Sequence, residues 1–318
     1  MTGIIRLATT SMATLEDRAP PYNLSHPDPQ ATFARGVDLI DAAGAQKADL
    51  VCLPETFAAA GLPRSRKAEA TEEPGGPSFQ KLAERARANR IHVVAGMRQY
   101  AEGGAINVGV LIDRDGNLVG TYTKKHPTEG ELAGGIIPGS VANVFDTDIG
   151  RVGIAICFDL NWPALWADMK AQGAEIVCFL SAFEGGFPLQ AYAWLHGYTV
   201  VSSVQSYYAK IIDRSGTVLT QTSRWGRLTT CDIDRQKRWF HTDDQAEKIL
   251  AVQARYGDRV RVETLGHEHM FSIARLDPAL DMDKIVGEFS LVDFDSYIAR
   301  CTAAQNRVLA ERMKGKKP

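Results

Sequence analysis

The stretch Gly150 to Leu165, GRVGIAICFDLNWPAL, decides how this chain is read. Val152, Ile154, Ala155 and Ile156 lead into Cys157, polarity returns with Asp159 and Asn161, and Pro163 stops any strand. The pattern is a buried strand that ends at a cysteine, with a helix opening shortly after. At such a junction the sheet holds the side chain, and the helix's positive N-terminal end favours a thiolate. Cys157 is therefore a candidate nucleophile. A free cysteine on an apolar strand usually packs as a small hydrophobe, and that is the reading for Cys52, Cys178, Cys231 and Cys301. Cys157 differs in standing at a strand end, and in what other strand ends deliver: an acid and a lysine.

Working outward, Ile4 to Thr9 reads as a strand and Asp28 to Ala48 as an amphipathic helix with Phe33, Val37, Ile40 and Leu39 or Ala43 inward. The short apolar run Asp49 to Leu53 ends in Pro54 and Glu55, the first polar group placed at a strand end. Pro77 to Arg90 is a helix and Ile91 to Met97 a strand. Asn107 to Asp113 and Asn117 to Tyr122 flank an Asp115-Gly116 hairpin turn. The second hairpin strand runs into Tyr122-Thr123-Lys124-Lys125-His126-Pro127-Thr128-Glu129-Gly130-Glu131, a loop with one lysine placed to turn inward.

Downstream of Cys157, a helix through Trp166 and Met169 precedes a buried strand, Ala174 to Ser181. Pro188 to Tyr198 is helical, Val200 to Gln205 a strand, and Tyr208 to Asp213 with Thr217 to Thr222 a second hairpin. Two copies of helix, strand and hairpin imply an α/β sandwich of two mixed sheets with helices outside. Further on, Leu228 to Ile233 reads as a strand, Thr242 to Tyr256 as a helix, Val260 to Leu265 and Met270 to Leu276 as strands, and Ser296 to Lys314 as a helix. His267 and His269 would share a strand face, but no third metal ligand accompanies them.

Composition excludes several classes. With 318 residues, 45% hydrophobic, the chain can bury a full core. A net charge of -2 gives no electrostatic case for nucleic acid or an anionic membrane, and Lys314, Lys316 and Lys317 read as a solvated basic tip. The N-terminal stretch lacks a long apolar run, so neither a signal peptide nor a membrane span is expected. Five cysteines without paired spacing fit thiols kept reduced in the cytoplasm. No motif for a metal or nucleotide cofactor is present, and none is expected.

Taken in order, Leu53-Pro54-Glu55, Tyr122-Thr123-Lys124 and Gly153 to Cys157 followed by Pro163 resemble the nitrilase, or carbon-nitrogen hydrolase, superfamily. Ser181-Ala182-Phe183 resembles that family's segment after the next strand. The resemblance covers about residues 4 to 235 of a single domain spanning 1–318, with 236–318 as a C-terminal extension that wraps a partner subunit or covers the site. It implies an αββα sandwich, a homodimer or larger homo-oligomer, and cofactor-free hydrolysis of a non-peptide C–N bond. Carried over by position, Cys157 is the nucleophile, Glu55 the general base and Lys124 the oxyanion-stabilising cation. Glu131 matches a second glutamate near the site, with Glu129 as its competitor.

Departures from the family patterns bear on the substrate. Nitrile-hydrolysing members tend to show Cys-Trp-Glu, whereas this chain has Cys157-Phe158-Asp159. Carbamoyl amino acid hydrolases tend to carry an arginine just after the cysteine. Here Leu160-Asn161 stand there, which disfavours an anionic substrate. Phe158, Asp159, Trp162, Ser181, Ala182 and Phe183 are the expected substrate-binding residues. The resulting expectation is an amidase for a small neutral or aromatic carboxamide. Nitrile or N-carbamoyl hydrolysis, acyl transfer and a non-catalytic assembly role are the alternatives.

Overall fold

The computed structural model describes residues 3–13 and 28–315. In chain order the first half runs β1 (Ile4–Thr10), α1 (Pro29–Ala45), β2 (Leu50–Leu53), β3 (Thr71–Glu72), α2 (Pro77–Asn89), β4 (His92–Ala101), β5 (Gly104–Ile112), β6 (Leu118–Thr123) and a short α3 (Glu129–Ala133). The second half runs β7 (Val144–Thr147), β8 (Gly150–Ile156), α4 (Pro163–Ala171), β9 (Ile176–Ser181), α5 (Phe187–His196), β10 (Thr199–Val204), β11 (Lys210–Ile212), β12 (Val218–Gln221) and β13 (Leu228–Asp234). Then follow β14 (Arg238–His241), α6 (Lys248–Tyr256), β15 (Val260–Leu265), β16 (Met270–Arg275), α7 (Met282–Glu288) and α8 (Phe294–Gly315).

Two mixed sheets form the expected αββα arrangement. One has strand order β13-β1-β2-β4-β5-β6 with β3 beside β4, and the other β12-β11-β10-β9-β8-β7. In both, parallel pairs joined through helices meet antiparallel hairpins. Leu39, Ile40 and Ala43 of α1 and Leu82, Ala83 and Ala86 of α2 bury one face of the first sheet over Val51, Leu53, Val93 and Ala95. Asp28 caps α1 by accepting from the N–H groups of Gln30 and Ala31, and proline stands at the first turn. The other faces of the two sheets meet each other. A Cβ on Gly109 of β5 would lie 2.7 Å from Ile154 Cγ2 of β8 and 3.1 Å from Leu180 Cδ1 of β9. Strands covered on both faces read as near-continuous apolar runs, as β2 and β9 do, and β10 is buried throughout as well although it carries Thr199, Ser202 and Ser203.

Arg6–Asp232 forms one compact unit, and the described residues up to Ile5 and from Ile233 onward form another. The segment expected as an extension, 236–318, thus carries a core of its own. Its three-stranded sheet, β14-β16-β15, packs Phe240, Phe271, Ile273 and Val260 against Val252 of α6 and Met282 and Ile285 of α7. Arg275 and Asp234 form a buried 2.7 Å ion pair in this unit.

Several local expectations need correction. The helix expected from Thr242 starts at Lys248, because Thr242 to Glu247 form a turn in which Asp244 has φ +55° and the Gln245 side chain bonds His241 and Val292 backbone. His267 and His269 lie exposed in the turn between β15 and β16, not on a strand face, and no metal-binding cluster occurs among the described residues. Strands β3, β7 and β14 and helices α3 and α7 are additional. Lys316 and Lys317 of the basic tip lie outside the described residues. Among the described residues no helix is long and apolar enough to cross a membrane.

Candidate active site

Three strand ends and one short helix build the site. Glu55 follows β2 and Pro54, and is only 6% exposed. The next residue, Thr56, has φ +37°, and the turn it makes is anchored by Phe57, which stacks on Phe33 at 5.6 Å. The Glu55 carbonyl accepts from Gln205 Nε2 at 2.7 Å.

Lys124 follows β6 and is 1% exposed. Its N–H donates to Asn107 O at 2.8 Å and its carbonyl accepts from Gly139, so both sides of its backbone are held. Its Nζ lies 2.8 Å from Glu55 Oε1 and 2.9 Å from each Glu131 oxygen. Glu131 is positioned by the start of α3. Thr128 and Glu131 form a capping box, with the Thr128 N–H and hydroxyl both reaching Glu131 Oε2. Asn107 Nδ2 joins the two carboxylates, donating to Glu55 at 2.8 Å and to Glu131 at 3.1 Å.

Cys157 follows β8 with φ +50°, a conformation costly for a residue with a Cβ and one that clusters at functional sites. The turn is pinned from beneath by Asp159. Its Oδ2 accepts from Ile156 N at 2.9 Å and Tyr122 OH at 2.7 Å, and its Oδ1 accepts from His126 N at 2.9 Å and lies 2.9 Å from His126 Nδ1. This carboxylate ties the β8 end carrying Cys157 to the β6 end carrying Lys124. The Ala182 N–H favours the Cys157 thiolate.

The electrostatics of the group are tightly coupled. Burial pushes the Cys157 thiol up, the Glu55 charge adds to this, and Lys124 only partly opposes them, leaving its pKa at about 12. The expected help from a helix N-terminus does not prevail. Cys157 opens a 3-10 turn, Cys157–Asn161, and α4 begins only at Pro163. Burial also disfavours the Lys124 ammonium, but the charges of Glu55, Cys157 and Glu131 outweigh it and its pKa is raised. For Glu131 the burial penalty is overcome by Lys124 and the Thr128 N–H, and its pKa is lowered. The resting group is thus a neutral thiol beside two carboxylates bridged by one ammonium.

Glu55, Lys124, Glu131, Cys157 and Ala182 line one cavity of about 340 Å³. Glu129 is exposed, so Glu131 is the glutamate that meets Lys124. The other residues expected to bind substrate do not line it. Asp159 is 0% exposed with both oxygens occupied by protein donors. Ser181 is buried and accepts from the Phe183 N–H, and Phe183 packs edge-on to Phe179. Trp162 stacks on His126 at 4.1 Å and meets Phe158 edge-on, so these aromatics brace the turn.

Sequence reasoning missed Asn107, Thr128 and Gln205. Asn107 had a signal, a lone amide inside the apolar run Ala105 to Ile112. Thr128 had another, the Thr-x-x-Glu spacing of a capping box. Gln205 had none, since it reaches Glu55 from 150 residues away.

Comparison with known proteins bears on the fold and the family. Omega-amidase NIT2 of Homo sapiens is 30% identical over 160 residues, covering 47% of this chain and 57% of the relative. The bifunctional nitrilase/nitrile hydratase NIT4A of Nicotiana tabacum is 31% identical over 172 residues, covering 48% and 49%. The chain spans about half the length of the curated relatives it matches. Among solved structures, an amidase from Nesterenkonia sp. shares the fold with a TM-score of 0.60 at 20% identity, over 73% of this chain and 90% of that one. Saccharomyces cerevisiae Nit3, a member of the nitrilase superfamily, gives 0.61 at 21% over 73% and 90%. Residues 18–238 match the carbon-nitrogen hydrolase family as a whole, and the chain belongs to that family.

Proposed function

We propose that this protein hydrolyses a carboxamide to acid and ammonia through a thioester on Cys157. The observation that carries the reading is the meeting of Cys157, Glu55 and Lys124 in one cavity, with Lys124 Nζ 2.8 Å from Glu55 Oε1 and the thiol pushed up by burial and the Glu55 charge. At neutral pH such a thiol attacks only if a base removes its proton as it reacts, and Glu55 is the carboxylate whose charge acts on it and which lines the same cavity.

In this mechanism the Cys157 sulfur bonds to the amide carbon while its proton passes to Glu55. The carbonyl π pair moves onto oxygen, and the Lys124 ammonium and the Phe158 N–H stabilise that oxyanion. Collapse expels the amine, which takes the proton from Glu55 and leaves as ammonia. Water then gives a proton to Glu55 and attacks the thioester; the acid departs and sulfur recovers the proton. Glu131 holds Lys124 in place throughout. The chemistry needs no cofactor, and the absence of a Cys-Trp-Glu sequence favours amides over nitriles. The five cysteines, none in a disulfide, fit a cytoplasmic location.

The deciding experiment measures ammonia release from amides, nitriles and N-carbamoyl amino acids, with Cys157→Ala alongside. Amide turnover lost in the variant, with an acyl adduct on Cys157 trapped by mass spectrometry, is the expected result. Turnover surviving in Cys157→Ala overturns the assignment, and nitrile turnover alone replaces amidase with nitrilase.

A further inference from the structure

Asn107 stands on β5 opposite Arg98 of β4, is 3% exposed, and bonds to Glu55, Lys124 and Glu131 alike. Its Nδ2 donates to Glu55 Oε1 at 2.8 Å and to Glu131 Oε1 at 3.1 Å, and its backbone carbonyl accepts from the Lys124 N–H at 2.8 Å. Its Oδ1 is buried with no hydrogen-bond partner among the described residues. A buried orphan acceptor calls for a reason, and the two carboxylates supply it. Turning the amide over would press Oδ1 against two anionic oxygens. The side chain therefore gives its donors to both carboxylates and leaves its own carbonyl unmatched.

The donors on Glu55 fall on one oxygen. Lys124 Nζ and Asn107 Nδ2 each reach Oε1 at 2.8 Å, and among the described residues no donor reaches Oε2. An oxygen that already accepts from an ammonium and an amide has little affinity left for a proton, so the other oxygen is the one that receives it. The two links between Glu55 and Glu131 also differ in kind from a carboxyl or a hydroxyl. An amide N–H gives up no proton near neutral pH. Burial works against the Lys124 ammonium, but the charges of Glu55, Cys157 and Glu131 outweigh it and Lys124 keeps its proton. Neither link conducts a proton from one glutamate to the other.

Resting on the amidase reading above, we infer that Asn107 is a positioning residue for the general base: it occupies Glu55 Oε1, reserves Oε2 for the Cys157 proton, and bars that proton from Glu131. As sulfur bonds to the amide carbon, the carbonyl π pair moves onto oxygen, the S–H bond breaks with its pair kept on sulfur, and Oε2 takes the proton. When the C–N bond breaks with its pair on nitrogen, that nitrogen takes the proton from Oε2. The other titratable or charged groups around Glu55 are Lys124, Glu131 and Cys157. On the same cavity wall stand Lys67, from the 3-10 segment Arg64–Ala70, and Arg98, whose Nε donates to Thr71 Oγ1.

Two pH profiles test this: kcat/KM for the best amide, and the rate of Cys157 alkylation by iodoacetamide followed by mass spectrometry, which needs the thiol proton removed but no amide turnover. Asn107→Leu keeps the size and removes both donors. Asn107→Asp keeps the shape and adds a third carboxylate beside the single ammonium. In Asn107→Leu kcat should fall about 10- to 100-fold with KM within about 3-fold, the range for hydrogen bonds to charged groups. The acid limb of both profiles should move to higher pH in both variants, because Glu55 then takes up a proton more readily, and further in Asn107→Asp, by about 1–3 pH units. A residue that only packs would lower both rates evenly and leave the limb in place. Thermal unfolding checks the fold, and Asn107→Ser, smaller and neutral, replaces a variant that does not fold. An unmoved limb in folded variants overturns this inference, and amide turnover by the wild type then leaves the amidase reading intact. A limb that moves in alkylation while the wild type turns over no amide overturns the amidase reading and keeps the hold of Asn107 on Glu55.

Discussion

Gly96→Ala isolates how closely the site depends on the packing of β4 against the turn that carries Glu55. A Cβ at this position would lie 2.5 Å from Glu55 Cα, 2.5 Å from the Pro54 carbonyl oxygen and 2.7 Å from Thr56 N. All three are backbone atoms, and ordinary contact begins near 3.4 Å. Relief therefore requires the Glu55 turn to move by about 1 Å, a displacement that at a reacting group costs on the order of 10²-fold in rate. The turn cannot rotate to compensate, because Gln205 holds its carbonyl at 2.7 Å and Lys124 and Asn107 hold its carboxylate at 2.8 Å each. Overpacking of this kind costs about 1–3 kcal/mol of stability, so the variant should fold with a lowered Tm.

The assay is kcat/KM on the best amide together with thermal unfolding, and Gly109→Ala is the comparison. Gly109 pairs with Gly96 across β4 and β5, but a Cβ there meets the side-chain ends of Ile154 and Leu180, which can turn aside. Gly109→Ala should lose comparable stability and keep kcat within about 3-fold, since no catalytic backbone moves. Wild-type activity in Gly96→Ala refutes the reasoning. So does an equal loss of activity in both variants, because the effect would then be general loosening.

In Glu55→Gln the carboxylate that helps hold the Cys157 thiol near 12 is gone while Lys124 remains. The thiolate absorbance, read as a difference from Cys157→Ala, should appear at lower pH than in the wild type; an unchanged midpoint counts against Glu55 as the neighbour of the thiol. The same shift, from about 9 to about 12, sets a stability window. The folded state keeps this proton when the unfolded chain has lost it, so the contribution is full below about 9 and is lost as pH rises to about 12. Cys157→Ala should flatten that decline in urea titrations. Asp159→Asn puts an amide donor against donors already on both oxygens, and should cost about 2–4 kcal/mol in denaturant unfolding; a loss under 0.5 kcal/mol contradicts the bracing role. Phe187 is 75% and Leu195 69% exposed on α5, and we propose that this face pairs two copies of the chain. Phe187→Glu with Leu195→Glu should then lower the mass in sedimentation equilibrium, and a wild-type value places the interface elsewhere.

The sandwich was legible because its strands announce themselves. Runs such as Leu50 to Leu53 and Ile176 to Leu180 are buried on both faces, and Asp113 to Gly116 marks a hairpin by its own side-chain bonds to the Asp115 and Asn117 N–H groups. The three strand-end residues were legible for a related reason. A polar group directly after a buried run is an anomaly in one dimension. Phe158 and Trp162, expected to bind substrate, do not line the cavity because sequence neighbours of Cys157 need not point where Cys157 points. Both follow it in a tight turn, where Trp162 stacks on His126 and Phe158 meets Trp162 edge-on instead. Lys67 and Arg98 were invisible for the opposite reason. They are 31 positions apart in ordinary charged surroundings, and it is the folded chain, through contacts such as Thr71 with Arg98, that brings them to the lining of one cavity.

The arrangement also explains why a buried thiol with so high a pKa is compatible with catalysis. When the proposed proton transfer takes place, negative charge leaves Glu55 and arrives on sulfur, and the total for Glu55, Lys124, Glu131 and Cys157 stays at minus one. Lys124 interacts with both the donor and the acceptor of that charge, so its ammonium stays compensated at each stage and no unpaired ion has to be created in the interior. In that mechanism charge leaves the cluster whenever a tetrahedral oxyanion forms, and at those moments Glu131 keeps Lys124 from following it. Removing Glu131 would free the ammonium to move as well as weaken the capping box at α3. Glu131→Gln keeps the shape, and Thr128→Ala removes the cap and the hydroxyl bond to Glu131 Oε2 while keeping the carboxylate charge, at about 1 kcal/mol. If the charge of Glu131 is what matters, Glu131→Gln should lose far more kcat than Thr128→Ala. The reverse order would assign Glu131 to holding α3 alone.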